Sequence, residues 1–171
     1  MKNGASISPL KISDWAKYKD LRLKALQDDP MAFTSSFQET VNKVNDYWIG
    51  HLKATDSESI TLFARKGDKL TGMVSAIFND KLKTKHIAEI VGAYVDQNYR
   101  GHGIGSLLME AIIEKISQNP LIEKIRLNVI TTQEPAIALY KKFGFKVVGE
   151  FEKDLKIDDK YYNNYAMEKL L

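Results

Sequence analysis

A glycine-rich loop is the segment of this 171-residue chain whose residue types could bind a phosphate. The apolar run before it, 87–95, is typical of a buried strand, and apolar residues then recur at helical spacing over 104–116. Between the two lie Gly101, Gly103 and Gly105, which allow a tight loop and a close approach of a ligand to the backbone. The unpaired N–H groups at the start of the following helix, together with the helix dipole, suit a phosphate or pyrophosphate.

Two common phosphate-binding motifs are excluded by the residues around these glycines. A P-loop needs Gly-Lys-Ser or Gly-Lys-Thr, which does not follow here. A dinucleotide fingerprint spaces its glycines as GxGxxG and places an acidic residue at the end of the next strand. Here the spacing is GxGxG, and the next predicted strand ends in Val129-Ile130-Thr131. For this motif alone, a glycine turn that opens an ordinary packed helix is the alternative.

A second motif, over 133–145, carries a tyrosine in a short predicted helix. Gly144 suits the left-handed residue that ends such a helix. One side of the helix collects apolar and aromatic residues, namely Ala136, Leu139, Tyr140 and Phe143. The Tyr140 phenol is therefore either a proton donor at a site or a packed side chain whose hydroxyl is satisfied within the protein.

The two motifs fall within a regular order of predicted elements. Ser13 is the predicted N-cap of a first helix that ends at Asp28-Asp29-Pro30, and 36–39 has the form of a capping box before a second helix. Strands are predicted over 5–10, 59–65, 70–78, 86–95, 121–130, 146–151 and 161–170. With the two motif helices, this order predicts a single α/β domain over 1–171, a mixed sheet of seven strands with four helices on its two faces.

Both motifs resemble those of the Gcn5-related N-acetyltransferase (GNAT) superfamily. The run Arg100-Gly101-His102-Gly103-Ile104-Gly105 matches the superfamily's Arg/Gln-x-x-Gly-x-Gly/Ala signature at every fixed position. The second motif is similar to Asn-x-x-Ala-x-x-Leu-Tyr-x-x-x-Gly-Phe, except that Gln133 stands where Asn is usual. The resemblance extends over essentially the whole chain. It implies a mostly antiparallel sheet that is splayed at its two central parallel strands.

The resemblance also implies that acetyl-coenzyme A is the co-substrate and that it binds where the central strands splay. Backbone groups near Val95 would hold the pantetheine arm and the thioester. The Arg100 side chain would bind a phosphate or only brace the loop, and Gln133 would keep the amide chemistry of Asn with a longer reach. The pyrophosphate would be held by backbone N–H groups of the loop: Arg100, Gly101, His102, Gly103, Ile104, Gly105 and Ser106.

By the same resemblance, an amine attacks the thioester directly and no covalent acyl-enzyme forms. Tyr140 matches the tyrosine to which the family assigns protonation of the leaving thiolate. Ala88-Glu89-Ile90-Val91 is similar to the segment of histone acetyltransferases that carries their catalytic glutamate, so Glu89 is the candidate base, directly or through water. The alternative is a carboxylate on an open face of the strand. The ribosomal-protein N-terminal acetyltransferases have a glutamate where Asn128 lies here, which disfavours peptide N-termini as acceptors.

The amino-acid composition excludes or disfavours several other kinds of site and function. There are no cysteines, so thiolate metal sites and cysteine nucleophiles are excluded, and the three histidines have no metal-ligand spacing. A net charge of +3 is too small to favour nucleic acid, and no apolar run approaches the length of a membrane span. We therefore expect a cytoplasmic protein that needs no metal.

The acceptor and the assembly are left open by the sequence. The acceptor would be a small-molecule or peptide amine, framed by residues 33–39 and by the turn before Tyr161, with Glu39, Asp158 and Asp159 as candidate groups for attracting a cation. A homodimer paired through an exposed C-terminal strand is one possibility. The alternatives in function are a regulatory or sensor domain that binds acetyl-coenzyme A without turnover, and transfer of a longer acyl group.

Overall fold

Seven strands form one mixed sheet in the computed structural model, which describes residues 4–53 and 57–171. In chain order they are β1 (Ser6–Ser8), β2 (Ser59–Lys66), β3 (Lys69–Phe78), β4 (Ile87–Val95), β5 (Lys124–Ile130), β6 (Lys146–Ile157) and β7 (Lys160–Leu170). Their spatial order is β1-β2-β3-β4-β5-β7-β6, and β4–β5 is the one parallel pair among the described strands. The predicted mixed, mostly antiparallel sheet of seven strands is confirmed.

Five α-helices lie in the part of the chain that the structure describes, where the sequence predicted about four. They are α1 (Trp15–Asp28), α2 (Phe37–Thr40), α3 (Asn45–Lys53), α4 (Ile104–Ser117) and α5 (Glu134–Lys142). The capping box at Ser36 is present, but the predicted second helix is divided into α2 and α3. The intervening Val-Asn-Lys-Val sequence has low helix propensity, and the Lys43 carbonyl accepts a hydrogen bond from Trp48 Nε1 at 3.2 Å.

Two element boundaries and the place of one strand in the sheet differ from the predictions for physical reasons. The N-cap of α1 is Asp14 rather than Ser13, because a 3₁₀ turn over Ile12–Asp14 precedes the helix. β6 runs to Ile157, past the predicted end at Phe151, because Leu155, Lys156 and Ile157 still pair with β7 beyond an irregularity in the ladder. The C-terminal strand β7 is not an exposed edge, since it lies between β5 and β6, and β6 is the edge strand.

The two faces of the sheet are covered by different helices, as predicted. On one face, α4 and α5 bury residues such as Val74, Ile90 and Ile112. On the other, α1 and α3 bury a cluster around Trp48 and Phe63. Alternation along β2 and β3 separates the two clusters, because successive side chains of a strand point to opposite faces. Within the described parts of the chain, none of the helices is long and apolar enough to cross a lipid bilayer.

The two central strands separate soon after they pair. Only Ile87–Glu89 of β4 is in register with Lys124–Arg126 of β5, and beyond these three pairs the strands diverge. A β-bulge in β4 increases the divergence of β4 from β5. Val91 pairs with Ser75 of β3 and Tyr94 pairs with Met73, so β4 has one extra residue between these two pairs. Gly92 lies in this bulge with φ of 63°, a left-handed conformation that other residues rarely adopt. The result is a slot between the carboxyl ends of β4 and β5.

The approach of β3 to β4 leaves no room for a side chain at Gly72. A Cβ atom there would lie 2.7 Å from the Tyr94 carbonyl oxygen and 3.0 Å from Leu108 Cδ1. We predict that Gly72→Ala lowers the free energy of unfolding by about 1–3 kcal/mol. Gly50→Ala is the control, because no atom lies within 4 Å of its Cβ position and alanine favours the interior of α3. Equal unfolding midpoints in urea for the two variants would contradict this close approach.

Candidate active site

The glycine loop connects β4 to α4 through two left-handed residues. A 3₁₀ turn over Gln97–Tyr99 follows β4, and Gly101 and Gly103 then have φ of 78° and 79°. Gly103 is the N-cap of α4, and its carbonyl accepts the first helical hydrogen bond, from Leu107 N at 3.1 Å. The backbone N–H groups of the first turn therefore have no partner inside the helix. Together with the positive end of a 14-residue helix, they form a site suited to an anion.

The third glycine of the motif has a packing role that the sequence did not indicate. A Cβ atom on Gly105 would lie 3.3 Å from Leu139 Cδ2 of α5. The absence of a side chain thus allows the first turn of α4 to approach the helix that carries Tyr140. Gly101 and Gly103 have a backbone conformation that favours glycine, whereas a side chain at Gly105 would press on Leu139.

The side chains of Arg100 and His102 both turn back onto the loop. Arg100 Nε donates to the Val95 carbonyl oxygen at 2.9 Å, and its Nη2 lies 3.4 Å from Asp29 Oδ2. His102 is exposed, with Nδ1 2.9 Å from the Arg100 carbonyl oxygen. The sequence left two roles open to Arg100, which are binding a phosphate and bracing the loop. The bracing contacts are present, and one of them uses the carbonyl group of Val95.

A cleft of about 1160 Å³ opens along the slot between β4 and β5. It is lined by nine of the eleven residues singled out in the sequence: Glu89, Val95, Arg100, Gly101, Gly103, Ile104, Gly105, Gln133 and Tyr140. His102 and Ser106 are not among the lining residues. The loop, the strand carboxylate and the helix tyrosine are thus brought to one cavity from three separate segments.

Asp29 joins the two sides of this cleft, although the sequence indicated it only as a helix breaker. Its Oδ1 accepts from Gln133 Nε2 at 2.8 Å, and its Oδ2 faces Arg100. Asp29 follows the end of α1, Arg100 follows β4 and Gln133 follows β5. No local sequence pattern predicts such a contact, because Asp29 and Gln133 are 104 residues apart.

Tyr140 is buried in the wall of the cleft, with 8% of its surface exposed. Its ring packs edge to face on Phe145, with 6.2 Å between centroids. Burial, followed by the negative charge of Asp29, raises the pKa of Tyr140 to about 12. The phenol therefore keeps its proton throughout the neutral and mildly basic range.

The other side of the slot has a polar floor, formed by Thr61, Ser75, Glu89, Asn128 and Asn164. The apolar neighbours of these residues along the strands pack under α4 and α5, so the polar side chains face the side that carries α1 and α3. Glu89 is the last residue of β4 that pairs with β5, where the slot begins. Asn164 Oδ1 is buried without a hydrogen-bond partner in the described structure, which marks a place for a donor from a ligand.

The expected frame of the acceptor is met in part. Phe33 and Thr34 line the cleft, but Glu39 is held in the capping box and accepts from Ser36 N at 2.9 Å. Asp158 and Asp159 form the β6–β7 turn with positive φ and are not among the lining residues. Sequence reasoning missed Arg22, which lines the cleft from α1. Among residues 4–53 and 57–171, no cluster of three or more His, Asp or Glu side chains is arranged to hold a metal ion.

Known proteins resemble this chain in sequence and in fold. A model of the Acetyltransferase (GNAT) family matches residues 22–145. The L-amino acid N-acetyltransferase AaaT of Escherichia coli (strain K12) is 28% identical over 101 residues, which are 59% of this chain and 62% of the relative. The matched segment thus spans less than two thirds of that relative's length.

Two solved structures share the fold over almost the whole chain. An acetyltransferase of the GNAT family from Streptococcus pneumoniae has a TM-score of 0.88 at 25% identity, covering 98% of this chain and 99% of the other. The yncA structure from Salmonella typhimurium, solved with its cofactor acetyl-CoA, has a TM-score of 0.84 at 15% identity and covers 97% and 93%. The overall fold is therefore shared with these structures.

The end of α1 is held against β4 by a hydrogen bond to an ionised carboxylate. Tyr94 OH donates to Asp28 Oδ2 at 2.7 Å, and Lys24 forms an ion pair with the same carboxylate. The hydrogen bond from Lys24, and then the one from Tyr94, lower the pKa of Asp28. The neighbouring Asp29 is thereby placed at the mouth of the cleft.

We predict that Tyr94→Phe lowers the free energy of unfolding by about 1–2 kcal/mol at neutral pH. Because the pKa of Asp28 is lowered in the folded state, its stabilisation is complete above the unfolded-state pKa and is lost as the pH falls through the folded value. The difference between wild type and variant should therefore shrink below about pH 4. Urea unfolding of the wild type and the variant from pH 7 downwards measures this difference in the free energy of unfolding. Tyr161→Phe is the control, because 53% of the surface of Tyr161 is exposed. A difference independent of pH would contradict the role of Asp28.

Proposed function

This chain belongs to the GNAT family, and we propose that it transfers the acetyl group of acetyl-coenzyme A directly to an amine. The observation that carries the proposal is that the anion site at the start of α4, the slot between β4 and β5, and the phenol of Tyr140 meet in one cleft. A phosphate-bearing thioester that reaches from a helix N-terminus into a slot fits this arrangement. The reaction is that of an acetyltransferase.

The co-substrate would bind mainly through backbone groups. N–H groups from Gly101 to Ser106 would hold the pyrophosphate, and His102 would contribute its backbone only, since its side chain contacts the Arg100 carbonyl and is not among the residues that line the cleft. The pantetheine arm would lie along β4 and pair with groups that the bulge at Gly92 leaves out of the β3–β4 ladder. The backbone N–H of Val95 would bind the ligand, because the Val95 carbonyl oxygen already accepts a hydrogen bond from Arg100. Gln133 would exchange its bond to Asp29 for one to the ligand.

Tyr140 would stabilise the leaving thiolate chiefly by hydrogen bonding. With a pKa of about 12, complete transfer of the phenolic proton to a thiolate of ordinary pKa is uphill by about 5 kcal/mol. The high pKa nevertheless ensures that the phenol is protonated when the C–S bond breaks. Donation to the developing negative charge lowers the barrier without full transfer in the transition state.

Glu89 would accept the proton that the attacking amine must lose, directly or through water. An alkylamine with a pKa near 10.4 must lose about three units at neutral pH, which costs about 4 kcal/mol. Glu89 lies on the polar floor at the start of the slot, whereas Tyr140 enters from the other face. Base and acid would therefore act from opposite sides of the thioester. The acyl carbon forms a bond to nitrogen, the C–S bond breaks, and coenzyme A leaves as a thiolate that is hydrogen-bonded to Tyr140. The proton that Glu89 takes from the amine passes to solvent, and the thiolate takes up a proton from solvent.

The glycine loop should determine co-substrate affinity through its backbone conformation. We predict that Gly101→Ala weakens acetyl-coenzyme A binding at least about tenfold, because alanine at φ of 78° costs about 1–2 kcal/mol and distorts the N–H groups. Gly67→Ala is a matched control, since it has φ of 58° and an open Cβ position but lies in the β2–β3 turn. Isothermal titration calorimetry on both variants measures the effect. Equal affinities would contradict a phosphate site at the loop.

Tyr140 and Glu89 should affect turnover rather than co-substrate binding. We predict that Tyr140→Phe and Glu89→Gln each lower kcat about 10²–10⁴-fold, with acetyl-coenzyme A affinity within a few-fold of wild type. The Glu89→Gln deficit should narrow as the pH approaches the pKa of the amine, because the acceptor then loses its proton unaided. Free-thiol release from pH 6 to 10, with Tyr161→Phe as control, measures both. Tight co-substrate binding with no turnover on any amine would instead support a sensor domain.

A further inference from the structure

Arg22 is a cation inside the cleft that the transfer mechanism does not use. It lies on the buried side of α1, and its guanidinium stacks on the Phe33 ring with 4.0 Å between Cζ and the ring centroid. One guanidinium nitrogen lies 3.6 Å from the place a Cβ atom on Gly92 would occupy. Arg22 is thus next to the bulge of β4, on the α1–α3 side of the sheet.

This guanidinium has no carboxylate partner among the described residues. The ion pairs within 4–53 and 57–171 do not include it. Three carboxylates share the cleft lining with it: Asp29, Asp46 and Glu89. Of these, Asp29 is engaged by Gln133 and Arg100. Burial lowers the pKa of Arg22, which reflects the cost of holding a charge out of water without a counter-ion.

The contacts around Arg22 leave its guanidinium N–H donors free to bind a carboxylate. Stacking on Phe33 covers a face of the planar guanidinium and leaves its N–H edges available. Those edges match a carboxylate, which can accept two parallel hydrogen bonds. Tyr18, Phe33 and Tyr47 add aromatic surface in the same part of the cleft. The anion site for the co-substrate lies at the start of α4, on the opposite face of the sheet, so it does not account for Arg22.

We propose that Arg22 binds the carboxylate of the acceptor, and that the acceptor is a free amino acid rather than a polyamine or a simple alkylamine. The inference rests on the proposed acetyl transfer, since it names the amine that receives the acetyl group. The carboxylate binds beside Gly92, and the amine faces the slot and the polar floor that carries Glu89. A polyamine presents only cations to this guanidinium, which disfavours its binding.

The test compares amines that differ only in the carboxylate. L-phenylalanine is paired with phenethylamine, and L-methionine with 3-(methylthio)propylamine, while spermidine represents polyamines. Free-thiol release gives kcat/KM for wild type, Arg22→Gln, Arg22→Lys and the control Arg65→Gln, which removes the same charge on β2 outside the cleft lining. Calorimetric titration of each compound into the protein saturated with coenzyme A gives binding independently of turnover.

We expect wild type and Arg65→Gln to prefer each amino acid over its decarboxylated partner by about 10- to 100-fold, the range of a hydrogen-bonded charge pair. Arg22→Gln should abolish this preference through KM, and Arg22→Lys should retain part of it. Turnover of the amines without such a preference, or a preference unchanged in Arg22→Gln, overturns the inference and leaves acetyl transfer intact. Arg22-dependent binding of the amino acids without turnover of any amine supports the carboxylate site and overturns the proposed function.

Discussion

The structure depends on two parallel strands that stop pairing after three residues. Beyond Glu89 and Arg126, the facing edges of β4 and β5 have backbone groups that no neighbouring strand satisfies. Such groups need a partner, and an extended ligand with its own amides can supply one. The bulge at Gly92 adds further unpaired groups on β4. The same break joins the two faces of the sheet, so a thioester held there is reached by a donor from one face and by a base from the other.

The open slot is held by contacts that converge on the end of α1. Asp28 is fixed by Lys24 and Tyr94, and Asp29 connects the loop after β4 with the segment after β5. The charge of Asp29 also contributes to the raised pKa of Tyr140. One short acidic turn therefore connects the two sides of the slot and, after burial, adds to the raised pKa of Tyr140. Arg22, less than two helical turns before it, places a cation in the cleft from the same helix.

The features that could be predicted from the sequence are those that depend on local residue patterns. The glycine loop, the capping box at Ser36 and the strand–helix–strand order follow from residue types at short spacing, and they yielded the sheet and the loop. The Gly92 bulge could not be predicted, because a glycine within an apolar strand has several readings. Asp29 was predicted only to end the first helix, and no motif in the sequence singled out Arg22. Their roles arise from contacts between segments distant in sequence, to which no periodicity corresponds.

A crystal structure with a non-hydrolysable thioether analogue of acetyl-coenzyme A would show whether the reaction takes place at the break in the sheet. We expect pyrophosphate oxygens within about 3.2 Å of backbone nitrogens between Gly101 and Ser106, and the pantetheine arm between β4 and β5. We also expect the Tyr140 hydroxyl within about 3.5 Å of the thioether sulfur. An analogue bound outside the slot, or one whose sulfur is remote from Tyr140, would contradict the claim that the break in the sheet is the reaction site.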